Sequence, residues 1–454
     1  VNRTETIIAP ATPPGEGGLA VIRISGSGAL EALHKFFRPT GSKDKLESHR
    51  LYHGYLVDNQ GNRIDEVMAV YMQPPRSYTC EEVVEIHCHG GRQIVRSLLD
   101  LYLGYGLRLA QPGEFTYRAF MNGRLDLSQA EAVSRLIHSR SETSRALALS
   151  QVEGRLSRAI HRFSQSLRRA LVLIEAWIDF PEEELPVREN LDLKFQLSEI
   201  IKEIDVLLDT FQTGRAFIEG VSILLIGRPN SGKSSLLNAL LGEERAIVTE
   251  IPGTTRDTLE EGLTIGGLPV RLIDTAGFRH SEDRVEMEGV RRAREKIATV
   301  DLVLLVVDAS QPLQEEDLLA YSACRDRSAL LVLNKADLVS VPPDTSFCSF
   351  TQLEISAKTG QGLPALRETV ARMFNQESCD LYDSVVITEK RHNDALLRCR
   401  ESLERAEASI VGQMSLEFLA LDVRGALDAL GMISGETTTD DILNDIFSSF
   451  CIGK

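Results

Sequence analysis

The chain has 454 residues, 43% hydrophobic and 26% charged, a balance that builds globular material and gives room for about three domains. Its formal net charge of −16 excludes a broad basic stripe for nucleic acid, so any RNA contact has to use a local patch or a partner's surface. No apolar run reaches membrane-spanning length, VNRTETIIAP at the start lacks the pattern of a secretory leader, and seven cysteines without a CxxC pair fit a reducing cytosol.

From 1 to about 120, short strand patterns at 20–24, 51–57, 66–72 and 83–87 alternate with helical patterns at 29–36 and 93–103. Proline and glycine punctuate them at Thr12-Pro13-Pro14-Gly15, Pro74-Pro75 and Gln111-Pro112-Gly113. This predicts a small mixed α+β domain. The alternation in VVEIHCHGG at 83–91 favours a strand over a metal site around Cys88.

From 125 to about 178 there is no proline, and apolar residues recur at three and four, as in Leu147, Leu149, Val152, Leu156, Ile160 and Phe163. Long helices are expected there, another over 191–211, and three more in the tail at 395–414, 417–430 and 439–447. The segments on either side of about 217–378 then form one discontinuous helical domain interrupted by an inserted α/β module. The expected domains are 1–120, 121–216, 217–378 and 379–454, the second and fourth being the two parts of the helical domain. The fold class is multidomain, α/β and α.

The inserted module carries the strongest motif, GRPNSGKS at 227–234, between a buried-strand pattern at 221–226 and an apolar helix start at 236–241. Glycines let backbone wrap an anion while N–H groups of Asn230, Ser231, Gly232, Lys233, Ser234 and Ser235 face it. Lys233 reaches the outer phosphates and the Ser234 hydroxyl is offered to Mg²⁺. Asp274-Thr275-Ala276-Gly277 ends the next strand, with a carboxylate near the metal and the Gly277 N–H near the γ-phosphate. Asn334-Lys335-Ala336-Asp337 ends another. The Asp337 carboxylate accepts from N1–H and the 2-amino group of guanine, which selects GTP over ATP. Ser356-Ala357-Lys358 closes over the base.

Between these motifs, 246–257 (AIVTEIPGTTRD) reads as the first switch, where a threonine hydroxyl completes the Mg²⁺ shell; of Thr254 and Thr255, Thr255 is favoured. Phe278 follows the DTAG motif where a water-orienting glutamine is familiar, so the role passes to an acid farther along. On chemistry alone Glu282, Asp283 and Glu286 are all candidates.

With these motifs in place, the chain resembles the MnmE (TrmE) family of tRNA-modification GTPases from end to end. The resemblance is carried by ATPPGEGGLAVIRISG at 11–26, VVEIHCHGG, PGEFTYRAFMNGRLDLSQAEAV at 112–133, the 227–241 and 246–257 segments, and CIGK at 451–454. It implies a cytoplasmic homodimer joined through N-terminal domains that bind a tetrahydrofolate derivative, a Ras-like P-loop G domain inserted in a helical domain, and no membrane span. It also implies partnership with the FAD-dependent MnmG protein to install an aminomethyl or carboxymethylaminomethyl group on C5 of the tRNA wobble uridine. The positions matching the family's folate contacts are Arg23, Glu85, Arg124 and Lys454, with arginine at 124 where lysine is common. Glu286 matches the water-orienting glutamate. Asn230, Thr249, Ile251 and Thr254 match the groups that hold a catalytic K⁺, a cation that takes the place of an arginine finger. The nucleotide motifs alone also permit a ribosome-assembly GTPase, against which the N-terminal signature and the acidic charge argue; a septin-like GTPase would not need the N-terminal signature.

Overall fold

The computed structural model describes residues 5–41, 46–179, 187–242, 260–274, 297, 299–338, 350–374 and 384–454. The chain divides into two compact units, one of Val1–Ser134, Gln151–Val172 and Val423–Lys454, the other of Arg135–Ser150 and Leu173–Asp422.

The chain starts β1 (Ile7–Pro10), β2 (Gly17–Ser25), α1 (Ala29–Phe36), β3 (Phe37–Pro39), β4 (Leu51–Val57), β5 (Arg63–Met72), β6 (Val83–Gly90), α2 (Arg92–Gly104) and β7 (Arg108–Leu109). Among the described residues these strands form a seven-stranded sheet in the order β3-β4-β5-β6-β2-β1-β7. The pairings are antiparallel apart from β1 with β7. The period of two sends Ala20, Ile22 and Ile24 of β2 and Val84, Ile86 and Cys88 of β6 into one core with Leu33 and Phe36 of α1 and Leu98 and Tyr102 of α2. Arg23, Glu85 and His87 are thereby left for the opposite face. On that side Ile7, Ala9, Ala110 and Phe115 make a second small core, against which Tyr78 packs.

Helices follow: α3 (Glu114–Met121), α4 (Leu127–His138), α5 (Glu142–Val152), α6 (Arg155–Asp179), α7 (Val187–Asp209) and α8 (Phe211–Glu219). The proline-free stretch is thus several helices, entered and once interrupted at polar caps and broken again at Gly154, whose φ is 80°. Asp126 Oδ1 accepts the Gln129 N–H at 2.9 Å ahead of α4, and Ser141 Oγ accepts the Ser144 N–H at 3.1 Å ahead of α5.

The nucleotide module contains β8 (Val221–Ile226), α9 (Lys233–Leu241), β9 (Glu260–Ile265), β10 (Leu268–Asp274), β11 (Leu302–Asp308), α10 (Glu315–Cys324), β12 (Ala329–Asn334), β13 (Thr351–Glu354) and α11 (Leu363–Phe374). Among the described residues its sheet has six strands ordered β13-β12-β11-β8-β10-β9, with only β9 antiparallel to its neighbour. Every residue of β8, β11 and β12 is buried, as a parallel sheet covered on both faces requires. Ile223, Leu225 and Leu304 pack with Leu236 and Leu240 of α9, whereas Leu224, Val303 and Leu305 pack with Cys324 of α10.

The chain ends in α12 (Lys390–Val411), α13 (Leu416–Ser434) and α14 (Asp440–Ser448). Helix α12 packs along α7, and Arg400 pairs with Asp205 across them at 3.2 Å. No helix among the described residues is long and apolar enough to cross a membrane.

Candidate functional site

The central strand β8 ends at the point where the sheet order turns, β10 lying on one side and β11 on the other, which is where open α/β sheets collect ligands. Gly227 leaves the strand at φ 148°, and a Cβ there would sit 2.1 Å from the Val306 carbonyl oxygen. Gly232, at φ 99°, precedes α9, and a Cβ would sit 2.0 Å from Asn334 Nδ2. Both positions therefore demand glycine. Asn230 is also left-handed, at φ 63°. Lys233 Nζ donates to the carbonyls of Gly227 (2.7 Å) and Arg228 (2.8 Å), which holds the ammonium over the loop. Ser234 and Ser235 are exposed on the first turn of α9. Ser231 is fully buried and its Oγ has no hydrogen-bond partner, a donor that a phosphate oxygen would satisfy. The loop thus fits a phosphate at a helix N-terminus.

The base-recognition segments meet this loop through Asn334. Its Nδ2 donates to the Ser231 carbonyl at 2.9 Å, and its Oδ1 accepts the Ala357 N–H at 3.0 Å. Ser356 is buried and its Oγ accepts the Thr359 N–H at 3.2 Å, so the Ser356-Ala357-Lys358 turn is fixed from within. Asp337 and Lys358 are exposed, Asp337 on a short 3₁₀ turn. Lys335, at φ 66°, pairs with Asp308 at the end of β11, Nζ to Oδ2 2.6 Å. Burial works to raise the Asp308 carboxyl, but hydrogen bonds from Lys335 and Ser310 and the Lys335 charge outweigh it and hold the group below its usual range. Asp308 was not among the sequence candidates, nor was Arg228, whose Nη2 donates to Gln311 Oε1 at 3.1 Å behind the loop. Thr249, Ile251, Thr254, Thr255, Gly277, Phe278, Glu282, Asp283 and Glu286 lie outside the described residues, as does the side chain of Asp274.

In the N-terminal unit, Arg23, Glu85, Arg124 and Lys454 come together. The β2–β6 register sets Arg23 opposite Glu85, and Arg23 Nε donates to Glu85 Oε1 at 2.9 Å. Arg23 Nη1 also donates to the carbonyl of Gly453, 430 positions away, at 3.3 Å. The tail is seated by backbone, the Phe115 N–H donating to the Lys454 carbonyl at 3.0 Å. The ring that gathers these cations is Tyr78, with Arg124 at 5.0 Å, Arg23 at 5.5 Å and Lys454 at 5.9 Å from its centroid. Sequence reasoning missed Tyr78, which lies in the loop between β5 and β6 and is held by a 2.9 Å hydrogen bond to Thr116 Oγ1. Burial raises its hydroxyl above the ordinary tyrosine value, the Thr116 bond and the two arginines opposing. Burial likewise lowers the Lys454 ammonium, Arg23 adding to the shift and Glu85 opposing it. His87 Nε2 is buried without a hydrogen bond and lies 3.7 Å from Glu85 Oε2. An unpaired polar atom, a carboxylate and three cations around an aromatic face fit a flat heterocycle that carries both hydrogen-bonding edges and acid groups.

Comparison with known proteins gives two family matches, the GTP-binding protein TrmE N-terminus over residues 6–124 and the MnmE helical domain over residues 127–451. The chain is similar to the tRNA modification GTPase MnmE of Syntrophotalea carbinolica, 52% identical over 452 residues covering 99% of each chain. It is similar also to those of Natranaerobius thermophilus, 44% identical with 99% of each chain covered, and Aquifex aeolicus, 43% identical with 99% of this chain and all of the other covered. With a phosphate loop and base-recognition turns on one sheet, and matches running nearly end to end, the chain belongs to the MnmE family of tRNA modification GTPases.

Proposed function

We propose that this tRNA modification GTPase works as a cytoplasmic homodimer. In each subunit a tetrahydrofolate derivative rests on Arg23, Glu85, Arg124 and Lys454, and GTP rests on the 227–234 loop. The domain reading is an N-terminal domain over 1–120, a helical domain of 121–216 and 379–454, and a G domain over 217–378. With FAD-dependent MnmG, the reaction is aminomethyl or carboxymethylaminomethyl modification at C5 of the tRNA wobble uridine, the folate supplying the one-carbon unit.

One observation supports the folate part above all: the Lys454 ammonium and Arg23, itself paired with Glu85, share the Tyr78 ring, although hydrolysis of a nucleotide needs none of them. Glu85 is suited to accept from the pterin's donor edge, while Arg124 and Lys454 are suited to the acid tail. In the G domain, Lys233 and the N–H groups of 230–235 hold the phosphates, Asp337 holds the guanine edge, and Ser356, Ala357 and Lys358 border the base. Asp274 and Gly277 lie by the metal and γ-phosphate. Ser234 and Thr255 would hold Mg²⁺, and Asn230, Thr249, Ile251 and Thr254 would hold K⁺. Both cations supply positive charge where negative charge grows in phosphoryl transfer. Glu286 orients the attacking water. Equilibrium titration with 5-formyl-tetrahydrofolate tests the reading: Arg23→Ala, Glu85→Ala and removal of Lys454 each weaken folate binding and leave GTP binding intact. Unchanged folate affinity in all three would remove the site.

A further inference from the structure

Beside the Arg23–Glu85–Lys454 cluster lies a cleft of about 510 Å³, a volume within the roughly 300–1,000 Å³ of small-molecule sites. Arg76, His49, Met72 and Cys80 contribute to its walls. Tyr78 and Arg124 line it as well, and the same two residues belong to the cluster, so the cleft adjoins the proposed folate-binding residues. Two guanidinium groups and an imidazole line it and no carboxylate does, in a chain whose net charge is −16. The wall is braced. Arg124 Nη1 donates to the Ser77 carbonyl at 2.9 Å, and Ser77 Oγ donates to the Glu81 carbonyl at 2.6 Å. His49 has its Nδ1 against Ser48 Oγ at 2.8 Å.

We propose that this cleft binds the poly-γ-glutamate extension of the folate. The inference rests on the folate reading above and deepens it. Each γ-linked glutamate adds one α-carboxylate to a flexible anionic chain. Arg124, at the junction, faces the first glutamate, and Arg76 and His49 take the carboxylates that follow. A local cationic cleft in an acidic protein selects a ligand by the number of its carboxylates, because each further one gains a charge-assisted hydrogen bond. The protein therefore discriminates between folates by tail length, and its preferred one-carbon donor is a polyglutamate.

The test is an equilibrium titration of the full chain with 5-formyl-tetrahydrofolate as monoglutamate and as triglutamate. The triglutamate should bind about tenfold more tightly at low salt, with the advantage shrinking as ionic strength rises. In the Arg76→Gln/His49→Gln double variant that advantage should vanish while monoglutamate affinity holds. Equal affinity for the two forms, or an advantage that survives the double substitution, would overturn the tail site and leave the folate reading standing. Failure of both forms to bind would overturn the folate reading and the tail site with it. A double variant that loses affinity for a tRNA anticodon stem-loop yet keeps the triglutamate preference would assign the cleft to nucleic acid instead.

Discussion

Asn334 holds Ser231 by its main chain: the side-chain amide at the end of β12 donates to the Ser231 carbonyl in the phosphate loop at 2.9 Å. The same side chain takes the Ala357 N–H, so the phosphate and base ends of the nucleotide site are set by one residue that is almost wholly buried. Asn334→Ala leaves a carbonyl and an N–H without partners, a cost of about 1–3 kcal/mol for each buried group. Thermal unfolding should show lower stability without nucleotide, and GTP and GDP affinities should fall together. Asn334→Asp keeps the acceptor for Ala357 but opposes the Ser231 carbonyl, and should be no better. Wild-type nucleotide affinity in both variants would show that the two loops are held independently.

Glu286→Ala should bind GTP nearly as the parent does and hydrolyse it about 10²–10⁴-fold more slowly with K⁺ and Mg²⁺ saturating. A group that orients water acts in the transition state, so the loss appears in kcat. If the proposed K⁺ site at 249–254 holds, exchange of K⁺ for Na⁺ should slow the parent protein too, for the separate reason that a smaller ion is a poorer substitute there. Single-turnover assays with each cation measure both. Parent-like turnover by the variant would pass the role to Glu282 or Asp283.

Folate affinity should fall at alkaline pH sooner than an ordinary lysine would allow. Burial lowers the Lys454 ammonium from the ordinary lysine value of 10.5, so in the free protein the cation is lost below that value as pH rises. Its folded-state value lies below the unfolded one, so the charged form is a burden on folding that is relieved as pH climbs between the two. Stability and folate affinity therefore move in opposite directions over that window. Lys454→Arg, which does not titrate there, should flatten the affinity profile. Titrations between neutral pH and pH about 10 decide it, and matching slopes in the two proteins would reject Lys454 as the titrating contact.

Arg118→Met should be among the most destabilising single changes in the N-terminal unit. The guanidinium is 2% exposed and pairs with Glu81 and Glu114 at 3.0 Å each, besides donating to the Glu5 carbonyl at 2.9 Å. Removing one partner from a buried ionic group costs about 3–5 kcal/mol. Arg108 still pairs with Glu114, so the loss should sit at the low end of that range. Chemical denaturation measures it, and a change within experimental scatter would mean that Glu114 is satisfied by Arg108 alone.

The phosphate loop was legible because its backbone geometry is written into glycine spacing: Gly227 and Gly232 sit where a Cβ would strike Val306 and Asn334. Helix α1 and strand β4 were likewise legible at their exact bounds from periodicity. The division of the proline-free stretch was not, since the apolar period reads alike on either side of Ser141 and Gly154, and a polar cap also passes for a solvent-facing residue. Strands β1 and β7 were too short to carry a period. The cluster around Tyr78 depends on strand register and on a tail arriving from 430 positions away, so spacing alone held no sign of it; the resemblance supplied Arg23, Glu85, Arg124 and Lys454, and left the ring itself unseen.

The bond from Arg23 to the Gly453 carbonyl has a consequence for biosynthesis. Chains leave the ribosome from the amino end, and domains generally fold in that order. Strands β2 and β6 can pair, and Arg23 can meet Glu85, while most of the polypeptide is still being made. The other side of the same cluster arrives only once residues 430 positions farther along have been made. A nascent chain that has not yet reached Gly453 and Lys454 therefore presents the paired strands with half of the cluster, and the ammonium beside Tyr78 is added late.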